Sequence, residues 1–381
     1  MAQVTGRLHG MTFRLVLALA LLFALPAVAQ EATQPAEGPA LDEPAQLDAD
    51  APAATPAEPT VGLDWDDDTP LFTILSALGL AAPDHAVEAT ETAVQQGEDL
   101  VLRGRTTGPD GKRTAWQSKG FRCDDCHNLV REDADLAVAD PEARMDYAVA
   151  NDLPFLMGTT LYGIVDRRSW FNDDYVKKYD DFVKPANESL REAIQLCSIE
   201  CSQGRALEDW EIDAILAWMW TRALTWGDLV DAPALRDVQL AASGDAQAKA
   251  DMLAQVEARF LHKSPATFVE PPAEHGKDDP GYEEVGDPAR GEELYVRSCL
   301  HCHARGGPTN YLLADKKGRY RELLRNMPQK TKWSFYEAIR KGTKPAFHPP
   351  VYMPHFTAER MSDQQVEDLR AWIEQEATRK R

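Results

Sequence analysis

The sequence predicts a mostly α-helical protein built from two similar domains in tandem, joined by a helical and Pro-rich connector. Three observations carry this expectation. Two segments open alike, Gln96-Gly97-Glu98-Asp99-Leu100 and Arg290-Gly291-Glu292-Glu293-Leu294. Each is followed by a Cys-x-x-Cys-His motif. Each then closes on an amphipathic segment whose apolar residues recur at helical spacing, as at Leu207, Trp210, Ala214, Ile215 and Trp218. The closing segments, Leu207–Trp218 and Met361–Trp372, align without gaps at an offset of 154 residues, the mark of an internal duplication with divergent loops. β-signals are sparse. Only Thr107-Gly108-Pro109-Asp110-Gly111 has the composition of a hairpin turn.

The elements follow in order along the 381 residues. Residues 1–29 read as a cleaved export signal. Arg7 and Arg14 supply the positive start, Leu15–Leu25 the apolar core and Ala27-Val28-Ala29 the small-residue cleavage site. The apolar run of about 15 residues is short for a bilayer that needs ~20, so the mature chain is expected to be soluble and periplasmic. Residues 30–68 hold 11 Asp+Glu and no Lys or Arg among Ala and Pro, which cannot bury a core and predicts a disordered acidic tether. The first domain is expected over 69–225, opening on a short helix within Leu71–Ala82 that packs on it. The connector spans 226–285. It reads as helical through His262 and then as an extended crossing bearing Pro265, Pro271, Pro272 and Pro280. The second domain is expected over 286–381. A formal charge of −21 argues against nucleic acid as a partner, since phosphate binding needs a Lys/Arg surface. Six cysteines are too few for a disulfide scaffold.

The cysteine spacing carries the chemistry. Cys123-Asp124-Asp125-Cys126-His127 and Cys299-Leu300-His301-Cys302-His303 each place two thiols on one turn, where they can reach the two vinyl groups of a haem, with the adjacent His beneath the iron. A thioredoxin-like pair or half a zinc site would explain one such motif, but two in an exported chain point to covalent haem at both. The pair of motifs with their closing helices resembles the c-type cytochrome fold, duplicated as in dihaem cytochromes c. The expectation is therefore two tandem class I cytochrome c-like domains holding two covalently bound haem c groups. Cys123, Cys126, Cys299 and Cys302 would form the thioethers, and His127 and His303 the proximal ligands.

The sixth ligand sets the haem's task. Met353, in Tyr352-Met353-Pro354-His355-Phe356 ahead of the last helix, matches the Met-Pro loop of small electron-carrier cytochromes c. Its soft thioether would raise the potential. Met327 and Met361 are weaker candidates, and His301, His348 and His355 are more ordinary as solvated or structural residues. In the first domain the 154-residue offset puts Ile199 opposite Met353, so Cys197 and Cys201 bracket the ligand position. Two readings stay open. The cysteines are a disulfide or buried thiols, with Met145 or Met157 as ligand, or a Cys thiolate sits on the iron.

Ile194, Gln195, Cys197, Glu200, Cys201, Gln203, Gly204 and Leu207 fall in the pattern of the ligand loop of thiosulfate dehydrogenases. This segment resembles that family, as does Gly158-Thr159-Thr160-Leu161-Tyr162. The resemblance implies Cys197 as iron ligand and, in an enzyme, as the catalytic sulfur. The family's Arg is Glu200 here, a carboxylate that repels an anionic substrate unless Arg205 or Arg191 compensates. The insertion Arg167–Tyr179 lies outside the pattern, and its aromatics read best as a packed surface loop rather than a cover for the haem edge. The expected function is single-electron transfer between redox partner proteins, a cytochrome or a respiratory complex. The alternative is oxidation of thiosulfate or a related sulfur anion.

Overall fold

We describe a computed structural model covering residues 65–229, 235–275, 281–313, 317–331, 333–343 and 352–379. The export signal and nearly all of the acidic tether lie outside the described residues. So does His348. The described segments are helical, with two isolated bridges and no strand among them. The helices are α1 Leu71–Ala77, α2 Glu91–Arg103, α3 Pro141–Ala150, α4 Asp173–Tyr179, α5 Pro185–Glu188, α6 Leu190–Leu196 and α7 Asp209–Trp220. They continue as α8 Leu235–Ala242, α9 Ala246–Glu257, α10 Pro288–Leu294, α11 Leu300–His303, α12 Lys317–Asn326, α13 Phe335–Lys341 and α14 Asp363–Thr378. Among the described residues no helix is long and apolar enough to cross a membrane.

Local chemistry explains where the pivotal helices begin and end. The Thr90 side chain caps α2 by accepting from Ala93 N, and Gly104, at φ +68°, ends it in the left-handed conformation that glycine adopts without cost. α7 and α14 open on reciprocal capping boxes, Glu208 with Glu211 and Ser362 with Gln365. The two halves then repeat one crossing. α2 packs against α7, and α10 against α14. A Cβ on Gly97 would lie 1.9 Å from the Ala214 carbonyl oxygen, and one on Gly291 would lie 2.0 Å from that of Asp368. Ala214 and Asp368 are related by the same 154-residue offset, so the repeat is a repeat of packing as well as of sequence.

Three cores result. The first gathers Leu100 and Val101 of α2 with Ile215 and Trp218 of α7. The second gathers Leu294, Leu369 and Trp372, and it also takes in Met145, Ala148 and Phe155 from the first half. The third joins Leu71, Ile74 and Leu75 of α1 to Trp226, Val238, Met252 and Val256. The buried face of α1 therefore belongs with the connector helices α8 and α9, while its Phe72 meets Trp220 of α7 edge-on at 5.6 Å. The chain from residue 62 onward is one compact unit, and the halves are tied inside it by charge. Arg360 donates to both oxygens of buried Glu132, at 2.7 and 3.1 Å, and to the carbonyls of Leu156 and Gly158 at 2.7 Å. Burial alone would raise the Glu132 carboxyl, but Arg360 and Arg144 outweigh it and bring it down to about 2.

The expected hairpin is present as a tight turn only. Gly108 N donates to Lys112 O and Thr114 N to Thr106 O around a single Thr107–Arg113 bridge. The expected crossing carries neither helix nor strand over residues 263–275, with bends at Lys263 and Ala273, and is held by Ala358 N to Thr267 O and by Phe268 N to Asp174.

Candidate functional site

Each Cys-x-x-Cys-His motif is held by the same two devices. In the first, Cys123–Asp125 forms a short 3₁₀ turn closed by Asp125, whose side chain accepts from Arg122 N at 2.7 Å. His127 Nδ1 lies 2.6 Å from Thr159 O. In the second, the π-helical turn Tyr295–Cys299 leads into α11, and His303 Nδ1 lies 2.6 Å from Tyr311 O. A carbonyl can only accept, so each Nδ1 carries the proton and leaves Nε2 as the ligating nitrogen. Burial lowers the pKa of both imidazoles, which favours the neutral form a metal requires. A glycine then allows the chain to close on each motif. A Cβ on Gly158 would stand 2.6 Å from Cys126 O and 2.7 Å from the His127 ring, and one on Gly307 would stand 2.4 Å from Cys302 O.

The motifs touch. Cys302 Sγ lies 3.6 Å from the Asp125 carbonyl oxygen, so the attachment turns of the two halves meet directly. A groove of about 540 Å³ opens beside this contact, lined by Trp116, Lys119, Arg122, Asp124 and His301.

A cavity of about 330 Å³ lies behind the first motif, with Cys123, Cys126 and His127 in its wall. Leu161, Ile164, Leu190, Ile215 and Met219 make it apolar. The insertion does not behave as the packed surface loop that the sequence favoured. Trp170, Phe171, Tyr175 and Tyr179 line the cavity, together with Phe182. The reason is their aromatic partners on other segments: Tyr175 meets Phe268 edge-on at 4.8 Å, and Phe268 meets His355 at 4.4 Å. The second half closes the cavity with Tyr352, Pro354, His355 and Arg360. His355 is buried with Nε2 unpartnered, and burial lowers its pKa to about 3.

Cys197 and Cys201 stand in the same cavity on the π-helical turn that ends α6. No disulfide joins them. They hydrogen-bond to each other, which holds the Cys197 thiol protonated and lowers the pKa of the Cys201 thiol. Of the Met alternatives, Met145 is buried in the core of the second half, whereas Met157 lines this same cavity, immediately before Gly158. Met327 and Met361 are also core residues. Met353 is clasped by Thr343, donating its N–H to Oγ1 at 2.7 Å and accepting from Thr343 N at 2.8 Å. Its neighbours Tyr352 and Pro354 line the first cavity, whereas Met353 is not among the residues of that wall.

The arginines offered as compensation for Glu200 are engaged. Arg205 forms a two-pronged pair with Glu211 at 2.6 and 2.5 Å, and Arg191 pairs with Asp213 at 2.6 Å. Arg167, on the cavity wall, donates to Thr159 Oγ1 at 2.9 Å and has no carboxylate in ion-pair range among the described residues. An apolar slot, two thiols beside a His with Nε2 free, and a cation suited to a propionate together fit a covalently held haem.

Residues 286–373 match the family described as cytochrome C oxidase, cbb3-type, subunit III. This segment is a cytochrome c domain. Such a domain carries covalently bound haem c, transfers electrons and works with redox partner proteins. No curated protein and no solved structure matches the chain. The cytochrome c domain takes in the second motif, α10 and most of α14, the elements whose crossing the first half repeats.

Proposed function

We propose that the chain is an exported, periplasmic dihaem c-type cytochrome that passes single electrons between redox partners, a cytochrome or a respiratory complex. Its domains would be 69–225 and 286–381, joined by 226–285. The observation that carries this reading is the contact of the two motifs, Cys302 Sγ against Asp125 O at 3.6 Å, because thioether edges brought this close give electrons a short path. Haem supplies a reversible one-electron change at iron. The protein's residues do the rest. Cys123, Cys126, Cys299 and Cys302 bind covalently, while Thr159 O and Tyr311 O orient His127 and His303. Met353 would hold the iron of the second domain's haem, and Cys197 that of the first.

A second reading, a thiosulfate-type dehydrogenase acting at Cys197, is favoured by the placing of that thiol in the cavity. The engagement of Arg205 and Arg191 beside Glu200 weighs against it, and Arg167 is the remaining cation for a sulfur anion. Low-temperature EPR of the fully oxidised, haem-loaded protein tests the assignment. The expected result is two haems per chain, with one His/thiolate low-spin signal beside one His/Met signal. One haem per chain would remove the dihaem reading. Two His/Met signals, or a high-spin site with an open position, would remove Cys197 from the iron and the dehydrogenase reading with it.

A further inference from the structure

Both motif histidines rest on a carbonyl, yet what stands behind the two carbonyls differs. His127 Nδ1 donates to Thr159 O at 2.6 Å. The nitrogen of that same peptide unit, Thr160 N, donates to Glu132 Oε1 at 2.9 Å. A trans peptide points its C=O and N–H to opposite sides, so the peptide stands between ring and carboxylate and is bonded to each. Resonance across the C–N bond lets a charge at one end strengthen the acceptor at the other.

The carboxylate is held in place from several directions. Glu132 is 2% exposed. Its Oε2 accepts from Asn128 Nδ2 at 2.7 Å, and both oxygens accept from Arg360. Arg360 also donates to Gly158 O at 2.7 Å, and Gly158 N donates to Cys126 O at 3.0 Å. On the other flank Thr160 Oγ1 donates to Val130 O at 2.7 Å. The peptide that carries Thr159 O is therefore clamped on both sides. Arg360 cancels much of the Glu132 field at longer range, which leaves the hydrogen-bonded path as the direct one to the ring. In the second half His303 Nδ1 lies 2.6 Å from Tyr311 O. Among the described residues no carboxylate accepts from Leu312 N, the nitrogen of that peptide.

We propose that Glu132 is a positioning residue for the first haem site and acts on His127 through the Thr159–Thr160 peptide. A charged acceptor behind the peptide tightens the Nδ1–H bond, gives the ring more imidazolate character and makes Nε2 the stronger donor. Such a ligand favours ferric over ferrous iron, so the relay lowers the potential of the first haem and leaves the second untouched. Electrons would then enter at the first half and leave through the second. The potentials rest on the proposed haem attachment. The relay does not, since each of its bonds joins protein atoms.

The test reads the Nδ1 protons by ¹H–¹⁵N NMR in the full, haem-loaded chain, reduced and labelled with ¹⁵N-histidine. Contacts with Thr159 and Tyr311 tell His127 from His303. In the unaltered chain the His127 proton is expected further downfield and slower to exchange than that of His303. E132Q keeps a carbonyl acceptor for Thr160 N but removes its charge, and E132Q/R360Q removes both charges and so leaves net charge unchanged and no guanidinium stranded at 360. This double variant should move the His127 proton upfield and leave His303 in place. It should also shift the reduction equilibrium of the first haem toward ferrous by roughly three- to tenfold, at most ~59 mV for one electron. Equal Nδ1 protons in the unaltered chain, a His127 proton unmoved in the double variant, or equal displacement of both histidines would each overturn the relay. A potential that rises while the proton stays would assign the effect to charge alone and overturn it too. Fewer than two haems per chain by intact mass would remove the dihaem reading instead, and the displacement of the His127 proton would still score the relay.

Discussion

In the first half of the chain a Cβ on Gly97 would reach within 1.9 Å of the Ala214 carbonyl, and in the second half one on Gly291 would reach within 2.0 Å of that of Asp368. His127 and His303 each rest Nδ1 on a carbonyl at 2.6 Å. Elsewhere the halves part company. The first has two thiols and an aromatic wall around its cavity, while in the second Met353 is clasped by Thr343. What the halves share is the backbone-to-backbone approach, where no side chain can substitute. They differ in the loops, where different side chains can fill the same space.

Removing one half's thioethers would break this comparison most severely. Under the proposed dihaem reading, C123A/C126A should lower haem content from two per chain to one, measured by absorbance and intact mass, and leave the signal assigned to Met353 unchanged. Loss of both haems, or of neither, would refute the independence of the sites. The tie between the halves comes next. E132Q strands Arg360 and Arg144 and should cost on the order of 3–5 kcal/mol in chemical denaturation. The folded Glu132 carboxyl is depressed to about 2, so its stabilisation is present above the ordinary carboxyl range near 4.5. It is lost as pH falls from there through about 2. The variant should show a shallower acid dependence across that window. Smallest is the test of the repeat itself. G97A and G291A should each destabilise by about 1–3 kcal/mol through overpacking. Similar losses would sharpen the equivalence, and a neutral result at either would show that the crossing is not shared.

The mostly helical class, the second motif's domain and the repeat's register were legible because each leaves a periodic or spaced signal. Trp218 and Trp372, paired by alignment, do meet Gly97 and Gly291 in turn. The aromatic insertion was misjudged because nothing in Trp170–Tyr179 names Phe268 and His355 as its partners. The core of α1 was likewise invisible, since its apolar face fits either neighbour equally well by pattern. Glu132 and Arg360, 228 residues apart, could not be paired from sequence, where charges announce neither burial nor partner. The carbonyls that orient the histidines belong to residues whose side-chain identity is irrelevant to the task.

Met145, Ala148 and Phe155 complete the core of the second half although they precede it by more than a hundred positions in the chain. The cytochrome c domain is therefore not a portable cassette. Excised at its boundary, it would carry an apolar scar where α3 had lain and an orphaned guanidinium where Glu132 had been. A fragment bearing only the second motif should aggregate. A productive dissection would have to carry α3 and its flanks along, by permuting the chain rather than cutting it.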